Sequence, residues 1–317
     1  MVQAFLLPFT KDPAHVSRPS EADSNFWQKS FERLSAGKES WEHFLQIAKS
    51  LPAARLALGR EGRTLLHLAV LHDDAAAVSE LKEEAFLKMK RDAFGLTALD
   101  LARFLGRKKC LEIFQAPPDS FSKQPNVAIQ GELSENIEYC PHPVFETAKG
   151  FDNILIKTKK AKEEDQIPSE KIWMGIHFDK EILKWLHPKV SIRFVDEKLG
   201  HGVFAEQRIQ SCGFVGEYTG EVQERKTKHL KDKIYCLRYT VWEMGGRNFV
   251  IDAERKGNFT RFINHSSQPN LGLQSVYWRG MPRMIFVALK EISPGTQLTF
   301  DYGAHFWKEA GQTPQPI

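Results

Sequence analysis

The chain has 317 residues, with 44 Lys and Arg against 40 Asp and Glu, and carries a net charge of +4. Its 42% hydrophobic and 26% charged content is that of a globular chain long enough for two domains. A charge this mild argues against a phosphate-tracking surface, and no apolar run approaches the roughly 18 residues of a membrane helix. Met1–Thr10 lacks the basic flank and small-residue cleavage pattern of a secretory signal. The expectation is therefore an intracellular protein with no direct nucleic-acid or membrane partner. Cys110, Cys140, Cys212 and Cys236 are scattered without ligand-like spacing, which predicts reduced thiols and no metal site.

The N-terminal third reads as helix. Phe26, Trp27, Phe31 and Leu34 recur at helical spacing, as do Trp41, Phe44, Leu45 and Ala48. A repeat follows: Gly62–Ala69 (GRTLLHLA) is echoed by Gly95–Ala102 (GLTALDLA), with Thr64 and Thr97 standing 33 positions apart. That period, with a Gly turn ahead of each Thr, resembles the ankyrin repeat. Two such units bury too little surface alone, so helices within residues 22–57 are expected to cap them. Residues 1–116 are thus expected to be all-α, a helical cap and two ankyrin-like repeats whose surface holds a partner protein.

Beyond Pro117 the composition shifts. Pro117, Pro118, Pro125, Pro141 and Pro143 predict broken structure up to about Lys171, and Lys157–Lys162 (KTKKAK) reads as a solvated linker face, with a nuclear address as the other reading. Residues 117–189 are taken as linker. After Lys189 short strand-like runs begin: Val190–Val195, Gly202–Ala205, Phe214–Gly216, Tyr218–Val222, Tyr235–Tyr239, Phe249–Ile251, Met284–Ala288 and Gln297–Tyr302. Turns at Gly213, Gly245–Gly246 and Pro294–Gly295 separate them, which predicts a mostly β domain.

Gly200–Ala205 (GHGVFA) fits the dinucleotide fingerprint, with Glu221 about 20 residues on. The fit is a decoy: Ser211-Cys212-Gly213 stops any helix from following, and no βαβ alternation appears. What remains is a pair of glycines that lets backbone approach a ligand closely.

Two further blocks carry the strongest signal, Arg261–Asn270 (RFINHSSQPN) and Phe300–Gly303 (FDYG), with Gly216–Glu221 (GEYTGE) upstream. The first reads as a turn-rich polar loop on an apolar strand, the second as a tyrosine at a strand end. Together they resemble the SET domain, the fold that methylates protein lysines with S-adenosylmethionine. The stretch Ile251–His265 is similar to that of the euchromatic histone H3 lysine-9 methyltransferases, which also carry ankyrin repeats.

The resemblance implies a multidomain chain: the all-α ankyrin-like domain (1–116), a linker and pre-SET-like segment without a cysteine cluster (117–189), a mostly-β SET domain of short-stranded sheets with a pseudoknot (190–303), and a short C-terminal segment closing the cofactor site (304–317). It implies that Gly200, His201 and Gly202 contact the cofactor's methionine part, and that Tyr235 contacts it too. The run Arg261, Phe262, Asn264 and His265 would border the same group, Asn264 and His265 facing its amine and adenine while Arg261 supports the fold. Phe306 and Trp307 would cover it. Tyr302 would stand beside the transferring methyl, with Tyr218 and Phe300 lining the lysine channel. Relatives with Tyr at the Phe300 position tend to stop after one methyl, so Phe300 implies di- or trimethylation.

Departures from the family pattern matter as well. Ser267 stands where zinc-bearing relatives have Cys, and no cysteine follows Cys236, so no zinc is expected. The substrate is expected to be a histone tail or another lysine-containing protein, acting in the nucleus or at chromatin, or in a host nucleus if the protein is bacterial and secreted. The rival reading is a catalytically silent SET and ankyrin scaffold.

Overall fold

The computed structural model describes residues 26, 29, 30, 32–34, 38–50, 59–116, 123–131, 133, 137–224, 235–239, 249–304, 306 and 307. Trp27, Phe31, Pro117, Pro118, Gly245 and Gly246, used in the sequence reading, lie outside them. The chain divides into two compact units, Met1–Leu101 and Ala102–Ile317.

The described residues of unit 1 are largely helical: α1 (Trp41–Ser50), α2 (Leu65–Leu71), α3 (Ala75–Leu81), α4 (Ala85–Met89) and α5 (Ala98–Phe104), the last running across the division. The two Thr-led turns perform the same task. At α2, Thr64 Oγ1 accepts from the His67 N–H while His67 Nδ1 accepts from the Thr64 N–H, a reciprocal capping box. At α5, the Thr97 N–H and hydroxyl both reach Asp100 Oδ2, at 3.0 and 2.8 Å, and the Asp100 N–H returns to Thr97 Oγ1 at 3.2 Å. His67 also joins the two motifs, its Nε2 lying 3.0 Å from the Leu96 carbonyl. Because Nδ1 accepts, Nε2 carries the proton and the imidazole is neutral.

Among the described residues of unit 2, α6 (Lys108–Ile113), α7 (Ala148–Glu163), α8 (Ser169–His177) and α9 (Asp179–Lys184) accompany fourteen strands. The strands are β1 (Val127–Gln130), β2 (Glu138–Tyr139), β3 (Val144–Phe145), β4 (Val190–Asp196), β5 (Gly200–Ala205), β6 (Phe214–Glu217) and β7 (Glu221–Glu224). They continue as β8 (Cys236–Tyr239), β9 (Phe249–Asp252), β10 (Lys256–Gly257), β11 (Asn264–His265), β12 (Leu271–Trp278), β13 (Met281–Ala288) and β14 (Gln297–Phe300). Among the described residues one sheet runs β1-β4-β5-β14-β12-β13-β6 with β11 beside β14, a second runs β3-β7-β9-β8, and β2 pairs with β10. The longest hairpin, β12–β13, turns on Arg279 and Gly280, both at positive φ (46° and 81°), as a two-residue primed turn demands.

The segment expected to be an irregular linker is instead built into this unit. Phe151, Ile154, Leu155, Thr158 and Ala161 fall on one face of α7 and are buried, and Thr147 caps its start. The lysines of 157–162 hid that apolar spacing; Lys159, Lys160 and Lys162 do face solvent, but from a helix. The division also falls earlier than residue 116. Phe104 stacks on Phe151 at 6.1 Å and packs tilted against His142 at 4.9 Å, and Lys108 pairs with Glu138 at 3.0 Å, which ties residues 102–116 to unit 2.

Burial, the largest influence, pushes the His67 pKa down to about 4 from its ordinary value of 6.5. The unfolded chain then takes up a proton that the folded one refuses, so the contribution of neutral His67 is complete above pH 6.5 and is lost as pH falls toward 4. Protection of the α2 amides against hydrogen exchange is expected to weaken over that window, by up to about 3 kcal/mol, and His67→Gln is expected to flatten the dependence.

Candidate active site

The sequence blocks Arg261–Asn270 and Phe300–Gly303 meet through β11, which lies parallel to β14 with Asn264 opposite Thr299 and His265 opposite Phe300. Asn264–His265, expected within a turn-rich polar loop on an apolar strand, are themselves a strand, and His265 and Ser266 are buried. Its polar side chains disguised it, yet the ladder and the bond from Ser266 N–H to the Phe300 carbonyl (3.1 Å) satisfy its backbone. Asn270 continues the seam, donating to the Gln297 carbonyl at 2.7 Å and accepting from the Thr299 N–H at 2.9 Å.

Tyr302 follows directly after β14 and is held at both ends by the same stretch. Its N–H donates to His265 Nδ1 at 3.2 Å, and its phenol donates to the Ile263 carbonyl at 3.0 Å. Around its ring stand Phe300 at 4.8 Å, Phe306 edge-on at 4.8 Å, His265 at 5.4 Å and Trp307 stacked at 6.0 Å. Phe300 in turn meets Phe286 edge-on at 4.9 Å.

Tyr218 enters from the stretch between β6 and β7, not from a strand as expected, and its phenol donates to the Tyr235 carbonyl at 2.7 Å. Burial raises the Tyr218 pKa well above the ordinary phenol value, with the neighbouring phenol of Tyr302 adding to it. Burial likewise raises that of Tyr302, so both hydroxyls stay neutral. Each gives its proton to a backbone carbonyl, which leaves the lone pairs of both phenol oxygens as acceptors.

The glycine turn lies against the same seam. Asn264 Nδ2 donates to the His201 carbonyl at 3.1 Å, and Gly200 takes φ 66°. A Cβ on Gly202 would fall 2.7 Å from Gln297 Nε2, 2.9 Å from Val195 Cγ2 and 3.2 Å from Asn264 Nδ2. The His201 ring packs edge-on against Phe262 at 5.9 Å. Arg261 is committed to the fold: Nε donates to the Ala253 carbonyl at 2.8 Å, and the guanidinium lies 3.7 Å from the centre of the Tyr235 ring. Trp307 Nε1 is buried with no hydrogen-bond partner among the described residues. Among those residues, no three His, Cys, Asp or Glu side chains converge as a metal site.

Sequence reasoning passed over the buried charge cluster behind Tyr218. Arg283 is 1% exposed and makes a bidentate pair with Glu217, while its Nη2 lies 2.8 Å from His142 Nδ1. Burial, then Arg283 and Arg103, push the His142 pKa well down, so the ring accepts from Arg283 as a neutral imidazole. One signal was readable: an arginine alone in the apolar run Met281–Ala288 is seldom buried unless paired.

Residues 200–303, within the mostly β unit, match the family model for the SET domain. Among curated proteins the chain is similar to histone-lysine N-methyltransferase Set2 of Drosophila melanogaster, 40% identical over 113 residues, covering 34% of this chain and 5% of that protein. It is 38% identical over 115 residues to histone-lysine N-methyltransferase ASHH3 of Arabidopsis thaliana, covering 33% of this chain and 30% of the relative. With histone-lysine N-methyltransferase SUV39H1 of Xenopus laevis it shares 31% over 129 residues, covering 38% of this chain and 31% of the relative. The chain therefore spans less than a third of the length of these relatives. A crystal structure of KRYPTONITE with mCHH DNA, H3(1-15) peptide and SAH aligns over 37% of this chain and 24% of its own, at 34% identity and TM-score 0.32.

Gly202→Ala is expected to push Asn264 off the His201 carbonyl and to destabilise unit 2 by about 1–3 kcal/mol through overpacking. Chemical denaturation reads the second effect, and amide-proton exchange of the Asn264 side chain reads the first.

Proposed function

We propose that this protein is a protein-lysine N-methyltransferase that uses S-adenosylmethionine and acts on histone tails, adding two or three methyl groups. The observation that carries the reading is the Tyr302 phenol, anchored on the Ile263 carbonyl inside a ring of aromatic side chains with Phe300 beside it.

The residues present fit the cofactor. Trp307 Nε1 is a buried donor with no protein acceptor among the described residues, Gly200 turns at positive φ, Gly202 leaves beside Asn264 a space that a Cβ would fill, and Asn264 and His265 lie on the same seam. Gly200, His201, Gly202, Tyr235, Asn264, His265, Phe306 and Trp307 would hold it, and Arg261 and Phe262 would support them. When bound, S-adenosylmethionine supplies an electrophilic methyl group on a cationic sulfur.

The protein's own work is on the lysine. A free lysine amine titrates near pH 10.4, so the nucleophilic form is scarce at neutral pH; apolar walls that strip water favour the neutral amine. Tyr218, Phe300 and Tyr302 supply such walls with no ionised group among them. The two phenol oxygens, with lone pairs free to accept, orient the amine by its N–H groups and the methyl by weak C–H contacts. Phe300 brings no hydroxyl that would hold a water in the space further methyls need.

The N-terminal unit we read as ankyrin-like, a surface that holds a partner protein. The 33-residue spacing and the matched capping turns at Thr64 and Thr97 support this. On the preferred lysine, the relatives include a Candida albicans enzyme named as H3 lysine-36 specific, at 35% identity. That likeness lends no weight to a lysine-9 preference. Histone substrates would set the site of action at chromatin.

Labelled methyl from the donor is expected to appear on histone lysines. Tyr302→Phe, which removes one acceptor, is expected to lower kcat by about 100-fold with the fold retained. Cofactor binding in calorimetry without turnover on histones or on lysate proteins would sink the proposal in favour of a silent scaffold. Phe300→Tyr is expected to shift the product toward monomethyl-lysine in mass spectrometry; a wild-type product that stays monomethyl at long times contradicts the multiplicity argument.

A further inference from the structure

Tyr218 lies on a stretch that leaves one sheet and joins another. β6 ends at Glu217 in the large sheet, β7 begins at Glu221 in the four-stranded sheet, and Tyr218–Gly220 bridge them outside any strand. A bridge of this kind gives up ladder bonds, so its buried polar groups need partners from elsewhere. Residues 138–145, ahead of the SET match, supply them. The Thr219 hydroxyl, in a residue 1% exposed, donates to the Cys140 carbonyl at 2.7 Å. The Gly220 carbonyl accepts from the Val144 N–H at 2.9 Å. β3 then pairs in parallel with β7, and on the other side the Glu138 and Cys140 N–H groups bond the Arg255 and Gly257 carbonyls, both at 2.9 Å.

The residue before Tyr218 is secured independently. Asn258 Nδ2 and Thr260 Oγ1 both donate to the Glu217 carbonyl, at 2.9 and 3.1 Å, while its carboxylate grips Arg283. Tyr218 itself donates its N–H to the Met284 carbonyl at 2.8 Å. The phenol is thus aimed by the bonds on either side of it, and those to Thr219 and Gly220 on its C-terminal side come from Cys140 and Val144.

We propose that residues 138–145 form a positioning clamp for the Tyr218 wall of the lysine channel, with the Thr219 hydroxyl on the Cys140 carbonyl as its closing contact. The clamp rests on the lysine-methyltransferase reading. It acts on the substrate side of the site and leaves the Asn264–His201 seam untouched. Thr219 is a positioning residue: it shapes the channel through Tyr218.

The test is Thr219→Val in the full chain, which keeps the shape and removes the donor, with Thr219→Ser as the rescue. Loss of the bond is expected to lower kcat/KM for a histone H3 peptide by about tenfold. Affinity for S-adenosylhomocysteine in calorimetry is expected to fall by no more than about threefold, because the Tyr218 wall meets the cofactor residues at the Tyr235 carbonyl while the Asn264–His201 seam lies apart from it. The Ser variant is expected to recover wild-type kcat/KM. Unchanged kcat/KM in a folded Thr219→Val protein overturns the clamp, and so does cofactor affinity that drops in step with activity, the mark of general loosening. If the Val variant does not fold, Thr219→Ala, which introduces no new bulk, decides by the same measurements. Wild-type protein that methylates nothing removes only the methyltransferase reading. The fluorine resonance of 3-fluorotyrosine at position 218 then decides: a shift in Thr219→Val upholds the clamp, and an unmoved resonance rejects it.

Discussion

The two-residue ladder between β11 and β14 is the constraint on which the site depends. Asn264 and His265 are polar, yet they pair with Thr299 and Phe300 as a strand of the large sheet. That pairing sets three things together: the Ile263 carbonyl under the Tyr302 phenol, His265 Nδ1 under the Tyr302 N–H, and the Asn264 amide on the His201 carbonyl. Within a poorly solvated aromatic cluster each of these bonds is electrostatically stronger than it would be in water, and leaving any of them unmade is correspondingly unfavourable. The tyrosine is therefore oriented by main-chain geometry as much as by packing.

A second constraint is the buried ion pair of Glu217 and Arg283 with neutral His142. Taking both charges out of water offsets much of their attraction, so the cluster adds less net stability than its geometry suggests. Removing one partner is a different matter, since it strands the other charge in the interior. The Arg283 guanidinium also lies 4.6 Å from the centre of the Trp278 ring and 5.3 Å from that of Phe104. Glu217 on β6, Arg283 on β13 and His142 between β2 and β3 thereby hold the residues ahead of the SET match in one register with the sheet. Such a cluster favours one arrangement over near alternatives.

Much of the mostly β architecture was legible in the sequence, because short apolar runs between Gly and Pro turns leave few other readings. The strands at β4, β5, β6, β9 and β14 lie where those runs predicted. β12 was missed, since its inward and outward residues mix Gly272, Gln274 and Ser275 with Leu271, Val276 and Trp278. The helix α7 was missed because its lysine-rich outer face dominated the composition around five well-spaced buried positions. Of the residues proposed for the site, Tyr302, Phe300, Asn264 and His265 stand out in the sequence through their blocks, and the structure brings all four together with Phe306 and Trp307. Tyr235 and Arg261 stand next to each other as a stacked pair, a contact that nothing in their separate sequence surroundings announces.

The sequence by itself determined the local chemistry: the turn residues, the capping threonines at 64 and 97, the glycines at 200 and 202, and the aromatic identity of positions 300 and 302. Those properties depend on the residue and its near neighbours, where propensity and side-chain chemistry decide. Only the tertiary structure decided which carbonyl each buried donor meets, such as Thr219 with Cys140 or Tyr218 with Tyr235. Partners 79 and 17 positions away are chosen by sheet order and register, and many pairings of similar local quality compete until the whole interior packs.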